Sequence, residues 1–288
     1  MAWEQDTRVI VMLTAETEGG QRKCHPYWVP GEYGPFKIKA LSERRLPLEH
    51  STSKPSRSFT SPIKFPTPDQ RPGVGQRRST NYNTTSKDLP TPCPPQNPEE
   101  SPHIIIRKLT LTHTAYPFEP LRELTQLQYS SWPDFGAPAH PAHVLALVEH
   151  CDSVVRAYQS GPNPRSAHES AREGERPIVV HCSAGCGRTG TFCTVDSVVD
   201  MMKRQQRHRR ATAQADGVHD HDAMDVDDWL DSDEVDLVQK AVEDFRRQRL
   251  SMVQTLRQFV LCYESVLEWV VGEMPGGGMG GERKSWAG

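Results

Sequence analysis

A chain of 288 residues and 32.4 kDa has room for one large domain or two small ones. Its 34 Lys and Arg against 37 Asp and Glu leave a net charge of −3, which excludes the basic excess that a nucleic-acid binder carries. A hydrophobic fraction of 35% and a mean hydropathy of −0.65 are low for a packed globule, and no apolar run approaches the roughly 20 residues that span a bilayer. Part of the chain is therefore expected to lie outside any core.

In chain order, Met1–Arg8 is charged and lacks an apolar stretch, so no signal peptide is expected. Arg8–Leu13 is a short β-branched run of strand type. Between Pro47 and Pro102 fall twelve of the 24 prolines, among Ser, Thr, Arg and Asn. Such a composition cannot offset the entropy of ordering, and a disordered insertion is predicted over 41–102. His103–Thr112 reads as a strand, and Glu123–Ser131 ends in strand-like spacing at Leu124, Leu127 and Tyr129. After Pro141 apolar residues recur helically from Val144 to Tyr158, and a polar loop is expected over 160–176. Ile178–His181 has the look of a buried strand, and a helical stripe runs from Arg188 through Met202. Lys203–Arg210 is basic, and Asp216–Asp236 then carries ten acidic residues with no Lys or Arg, so 203–236 is predicted as a solvated insertion. His219, Asp220, His221 and Asp222 lack EF-hand spacing and are set aside as a metal site. A last helix covers Leu256 to Val270, and 273–288 is a Gly-rich, flexible tail. Strands interspersed with helices predict one α/β domain over 1–272, a central mixed β-sheet flanked by helices.

The chemistry concentrates in His181-Cys182-Ser183-Ala184-Gly185-Cys186-Gly187-Arg188-Thr189-Gly190, between a strand and a helix. Seven cysteines at irregular spacing form no disulfide framework, and Cys182 stands apart from the rest by its setting. At a helix N-terminus its thiol pKa falls and the thiolate is favoured. Ser183, Ala184, Gly185 and Gly187 are small enough for the loop to curl and turn its amides on one centre, an anion nest. Arg188 can fork two N–H bonds onto a phosphate. A nucleophile beside a phosphate cradle implies phosphoryl transfer through a cysteinyl-phosphate, without metal or organic cofactor. The competing interpretation, a buried thiol beside a glycine turn, leaves the flanking His, the small residues and the Thr-Gly helix start without a reason. Zinc-type CxxC pairs and a Walker A lysine are absent.

These ten residues resemble the signature loop of the tyrosine-specific, cysteine-dependent protein phosphatases. Trp132-Pro133-Asp134-Phe135-Gly136 resembles that family's movable acid loop, and Met252-Val253-Gln254-Thr255 with Arg257-Gln258-Phe259 resembles its glutamine loop. Trp3-Glu4-Gln5, Val9–Leu13 and Lys23-Cys24-x-x-Tyr27-Trp28 resemble the stretch before the acid loop. The similarity runs from Trp3 to about Val271, broken by the three insertions, and these insertions and the wording around the acid loop are similar to fungal members.

The resemblance implies roles. Arg188 and the amides of residues 183–188 bind the phosphate, Cys182 attacks, and Asp134 protonates the leaving phenolate and later activates a water placed by Gln254. His181 orients the loop, Thr189 bonds the sulfur, and Cys186 packs the loop. Trp132, Pro133 and Gln258 support the moving parts, and Glu32 is the candidate carboxylate behind Arg188. A tyrosine-phosphorylated protein is the implied substrate, by analogy a mitogen-activated protein kinase, in the cytoplasm or nucleus. The family's N-terminal helices and the aromatic loop that sandwiches phosphotyrosine have no counterpart before Trp3, so an N-terminally incomplete domain is expected. A phosphotyrosine-binding protein with little turnover and a dual-specificity phosphatase stay open as alternatives.

Overall fold

The computed structural model describes residues 1–48, 101–158, 177–214 and 234–273. Eight strands and four helices are formed by these residues: β1 (Val9–Met12), β2 (Thr17–Glu18), β3 (Gln21–Arg22), β4 (Gly31–Tyr33), β5 (Phe36–Pro47), β6 (His103–His113), β7 (Arg122–Tyr129), α1 (Pro141–Tyr158), β8 (Val179–His181), α2 (Gly187–Gln214), α3 (Leu237–Gln248) and α4 (Leu256–Glu273). Six strands make one mixed sheet in the order β4-β5-β6-β7-β1-β8. The β4–β7 side is antiparallel, and β1 runs parallel to both β7 and β8. The strands β2 and β3 form a separate hairpin.

Because side chains alternate along a strand, β1 divides its residues between the two sheet faces. Val9, Val11 and Leu13 join Ile104, Ile106, Leu127 and Tyr129 in the main core, which also takes the apolar stripes of all four helices. Ile10 falls on the other face with Trp3, Leu109, Leu111 and Leu124, where Tyr27, Trp28 and Phe36 cover them. The parallel strands decide where function can sit, since their carboxyl ends lie side by side and open into three loops. The loop after β7 carries Asp134, the loop after β8 carries Cys182, and the chain leaving β1 carries the β2–β3 hairpin.

Two expected boundaries move. Residues 41–47 are not part of an insertion but the second half of β5, paired from Ser42 to Pro47 with β6. Residues 203–214 likewise continue α2 by three turns, and Asp236 is the N-cap of α3, its side chain accepting from the Gln239 amide at 2.9 Å. Residues 49–100, 159–176 and 215–233, with the His219–Asp222 group among them, and 274–288 lie outside the described residues. Among the described residues no helix is long and apolar enough to cross a membrane.

Candidate active site

The Cys182 loop joins β8 to the first turn of α2. Gly185 takes a φ of 71°, a left-handed conformation that a side chain resists, and this curls the loop so that its own amide donates to Cys182 Sγ at 3.2 Å. The Thr189 hydroxyl donates to the same sulfur at 3.3 Å from within α2. Burial of the sulfur raises its pKa, but the bonds from the Thr189 hydroxyl and from the amides of Thr189, Cys186 and Gly185 outweigh it and hold the thiol below its ordinary value. His181 turns away from the sulfur: its Nδ1 lies 3.1 Å from the Cys182 carbonyl oxygen and its Nε2 2.8 Å from the Tyr27 hydroxyl. Burial holds this imidazole below the ordinary histidine range. Ser183 and Ala184 are exposed at the mouth, while Cys186 and Gly187 are buried.

The Arg188 side chain is 1% exposed and crowded with acceptors. One terminal nitrogen donates to Glu18 Oε1 at 2.6 Å and to the Trp132 carbonyl at 2.9 Å; the other donates to Asp134 Oδ1 at 3.2 Å. Its Nε is buried without a hydrogen-bond partner among the described residues. A buried N–H left unpaired is costly, and an anion held in the amide ring is the kind of group that would satisfy it.

Asp134 lies between Arg188 and Lys23, whose Nζ is 3.1 Å from Oδ2. Its loop is held from both ends. Trp132 is buried and donates its indole N–H to the Gly136 carbonyl at 3.0 Å, and Phe135 sits at a φ of 57°. The Thr255 hydroxyl donates to the Phe135 carbonyl at 3.3 Å, tying the acid loop to the glutamine loop.

Thr255 and Gln258 form a capping box at the start of α4. The Gln258 amide donates to Thr255 Oγ1 at 3.2 Å, and Gln258 Oε1 receives the amides of Thr255 at 3.3 Å and Gln254 at 3.0 Å. Gln258 therefore supports Gln254 through its backbone. Val253, a β-branched residue at a φ of 56°, and Arg246, which donates to the carbonyls of Met252 and Val253, fix the approach. The Gln254 side chain ends beside Gly187 and the phosphate loop, since a Cβ built on Gly187 would lie 2.8 Å from Gln254 Oε1.

One expected residue is misplaced. Glu32 is exposed and pairs with Lys37 at 3.1 Å in the β4–β5 ladder, so it does not buttress Arg188. Glu18 holds that place, brought there by the hairpin whose Gly19-Gly20 turn takes φ values of 56° and 78°. Gly-Gly between two short polar runs is a hairpin signal, which marks the turn in sequence but not the arginine that Glu18 meets. Arg249 also escaped notice: it follows α3 and donates to Cys186 Sγ at 3.1 Å and to the Ala184 carbonyl at 2.9 Å, bracing the loop from outside. Among the described residues no three His, Cys, Asp or Glu side chains group as a metal site.

The same arrangement has relatives. A family model described as protein-tyrosine phosphatase matches residues 1–57 and 76–217. Tyrosine-protein phosphatase 3 of Saccharomyces cerevisiae is 26% identical over 281 residues, covering 90% of this chain and 27% of the relative. Human tyrosine-protein phosphatase non-receptor type 18 is 27% identical over 272 residues, covering 93% of this chain and 38% of the relative. The chain thus spans only about a quarter to two fifths of the length of these curated relatives. The crystal structure of the catalytic domain of human protein tyrosine phosphatase non-receptor type 18 superposes with a TM-score of 0.52 at 26% identity, over 93% of this chain and 62% of that one. With the loops of Cys182, Asp134 and Gln254 converging on one end of the sheet, and with a family model matched over most of its length, the chain belongs to the protein-tyrosine phosphatase family.

Proposed function

We propose that the chain hydrolyses phosphotyrosine in proteins through a cysteinyl-phosphate. The observation that carries this is the convergence of Cys182 Sγ, with two donors on it, the unpaired Nε of Arg188, and the Asp134 carboxyl 3.2 Å from the same guanidinium. The phosphate dianion sits in the amide ring of residues 183–188 against Arg188. The Cys182 thiolate attacks phosphorus in line; the S–P bond forms as the bond to the tyrosine oxygen breaks, and Asp134 gives that oxygen its proton. Asp134, now a carboxylate, takes a proton from a water oriented by Gln254. That water forms the new P–O bond, and the sulfur leaves as a thiolate steadied by the Thr189 hydroxyl.

The substrate class follows a relative: one solved structure is of the type 18 enzyme in complex with HER2 phosphopeptides, at a TM-score of 0.53 and 26% identity. A mitogen-activated protein kinase with activation-loop phosphotyrosine is the substrate proposed by analogy, and trapping on Asp134→Ala tests it.

Purified protein should release phosphate from a phosphotyrosyl peptide in the presence of a metal chelator, and Cys182→Ser should abolish this. Asp134→Ala should lower kcat by about 10²–10⁴-fold while peptide binding persists, as loss of a general acid does. Turnover that survives Cys182→Ser overturns the proposal.

A further inference from the structure

The second sheet face carries a polar strip where alternation would place apolar side chains. Gln126 is fully buried and Gln128 nearly so, both on β7, and between them on β6 stands the buried Arg107. A single terminal nitrogen of Arg107 donates to Gln126 Oε1 at 3.0 Å and to Gln128 Oε1 at 2.7 Å. Its Nε donates to Glu43 at 2.6 Å, and its guanidinium lies 4.8 Å from the centre of the Trp28 ring. Two buried amides and a buried cation are expensive in a sheet unless they are fully bonded and do something an apolar trio would not.

Each glutamine starts a chain that ends in the phosphate site. Arg107 can only donate, so Gln126 must turn its oxygen toward it and its amide nitrogen toward Tyr27 Oη, 2.8 Å away. At the far end the Cys182 carbonyl can only accept, so His181 Nδ1 carries the proton; burial keeps the ring neutral, leaving Nε2 bare to accept from the Tyr27 hydroxyl. Every bond in this arm has one permitted direction, set at one end by Arg107 and at the other by the Cys182 carbonyl. Along the other arm Gln128 Nε2 donates to the Thr14 carbonyl at 3.0 Å, the Thr14 hydroxyl to Glu18 Oε1 at 2.6 Å, and the same Glu18 oxygen takes Arg188.

We propose that Arg107 is a positioning residue for phosphate chemistry, acting through Gln126, Tyr27 and His181 on the nucleophile's backbone and through Gln128, Thr14 and Glu18 on the phosphate-binding arginine. It touches no reacting atom. The first arm steadies His181 in the tautomer that the Cys182 carbonyl selects, and with it the Cys182 peptide, from which the loop amides take their aim at sulfur. The second arm fixes the carboxylate that sets the rotamer of Arg188.

The inference rests on the phosphatase reading, but its test reads the thiol itself. Alkylation of Cys182 by iodoacetate is followed against pH, with and without inorganic phosphate, in Gln126→Met, Gln128→Met and Arg107→Met. Gln126→Met should move the alkylation midpoint up by about one pH unit, a roughly tenfold slower reaction below the parent midpoint. Gln128→Met should leave the midpoint in place and weaken phosphate protection by about fivefold, the loss of one positioned bond. Arg107→Met should do both. The titratable or charged groups that interact with Cys182 and His181, namely Arg249, Cys193 and Tyr27, keep their identity in all three variants. If Arg107→Met fails to fold, the two glutamine variants decide. Folded glutamine variants with the parent's midpoint and phosphate protection overturn the proposal. Since alkylation needs no turnover, that result is distinct from a failure of the hydrolytic reading.

Discussion

Glu18 and Glu32 are both carboxylates on short hairpin strands, and only one of them reaches the site. Glu18 accepts from Thr14 and the Ala15 amide as well as from Arg188, so its geometry is determined before substrate arrives. Glu32 meets a lysine in solvent, where an ion pair contributes little. Glu18→Gln should therefore lower kcat/KM by about 10²-fold, the scale expected when a positioning contact is loosened, whereas Glu32→Gln should leave it within about twofold. Steady-state kinetics on one phosphotyrosyl peptide checks both, and the reverse order would return the buttress to Glu32. Cys182 and Arg188 can be paired from sequence because one contiguous loop carries both, while Asp134 and Gln254 join them there only through the family resemblance of their loops. The buttress is not legible there, because the pairing of Glu18 with Arg188 spans 170 positions and depends on which short turn folds over the loop.

At the scale of elements, what the sequence concealed has a common cause. Among the described residues β5 pairs from Ala40 onward with β6 alone, and its exposed Glu43, Arg44 and Arg45 carry the charge typical of an edge strand. Those charges erased the alternation that made β1 and β6 readable. The short helix α3 was hidden likewise: Leu237, Val238, Ala241, Val242 and Phe245 form its apolar stripe, but its N-cap Asp236 closes the acidic run and made the helix start look like more of the same. That helix matters because Arg246 and Arg249 brace the glutamine loop and the phosphate loop from its end. The first turn of α2 meets the glutamine loop without a gap. A Cβ on Gly190 would stand 2.5 Å from the Val253 nitrogen and 3.1 Å from Met252 Cα, both backbone atoms that cannot rotate away. Gly190→Ala should thus destabilise the fold by about 1–3 kcal/mol and push Gln254 off the water it would orient. In rapid-mixing experiments the variant should show a burst of phenol followed by a slower steady state than the parent. An unchanged Tm with unchanged turnover would mean that the two backbones separate more easily than their packing implies.

Across the whole molecule, the two ends of the longest excursion from the sheet meet. Pro47 is registered opposite His103, and one step further the Leu48 amide donates to the Pro102 carbonyl at 2.7 Å. The ladder between β5 and β6 is therefore complete before the chain leaves at Leu48 and again once it returns at Pro102, with Leu48 buried in the main core. The contacts named above for each site residue are made among the described residues. Closing a loop of that length costs more chain entropy than closing a short one, by on the order of 2 kcal/mol when it is cut to four residues. Replacing 49–101 with Gly-Asn-Gly-Ser should raise Tm by a few degrees, at roughly 2–4 °C per kcal/mol for a chain of this size. It should also leave turnover of a small aryl phosphate within about twofold, since the contacts described for Cys182, Arg188, Asp134 and the glutamine loop are retained in the shortened chain. Calorimetry and aryl phosphate kinetics on the shortened chain check this. A lowered Tm, or lost turnover of so small a substrate, would show that the sheet does not close by itself at Leu48 and Pro102, and that the excursion is a structural part of the site.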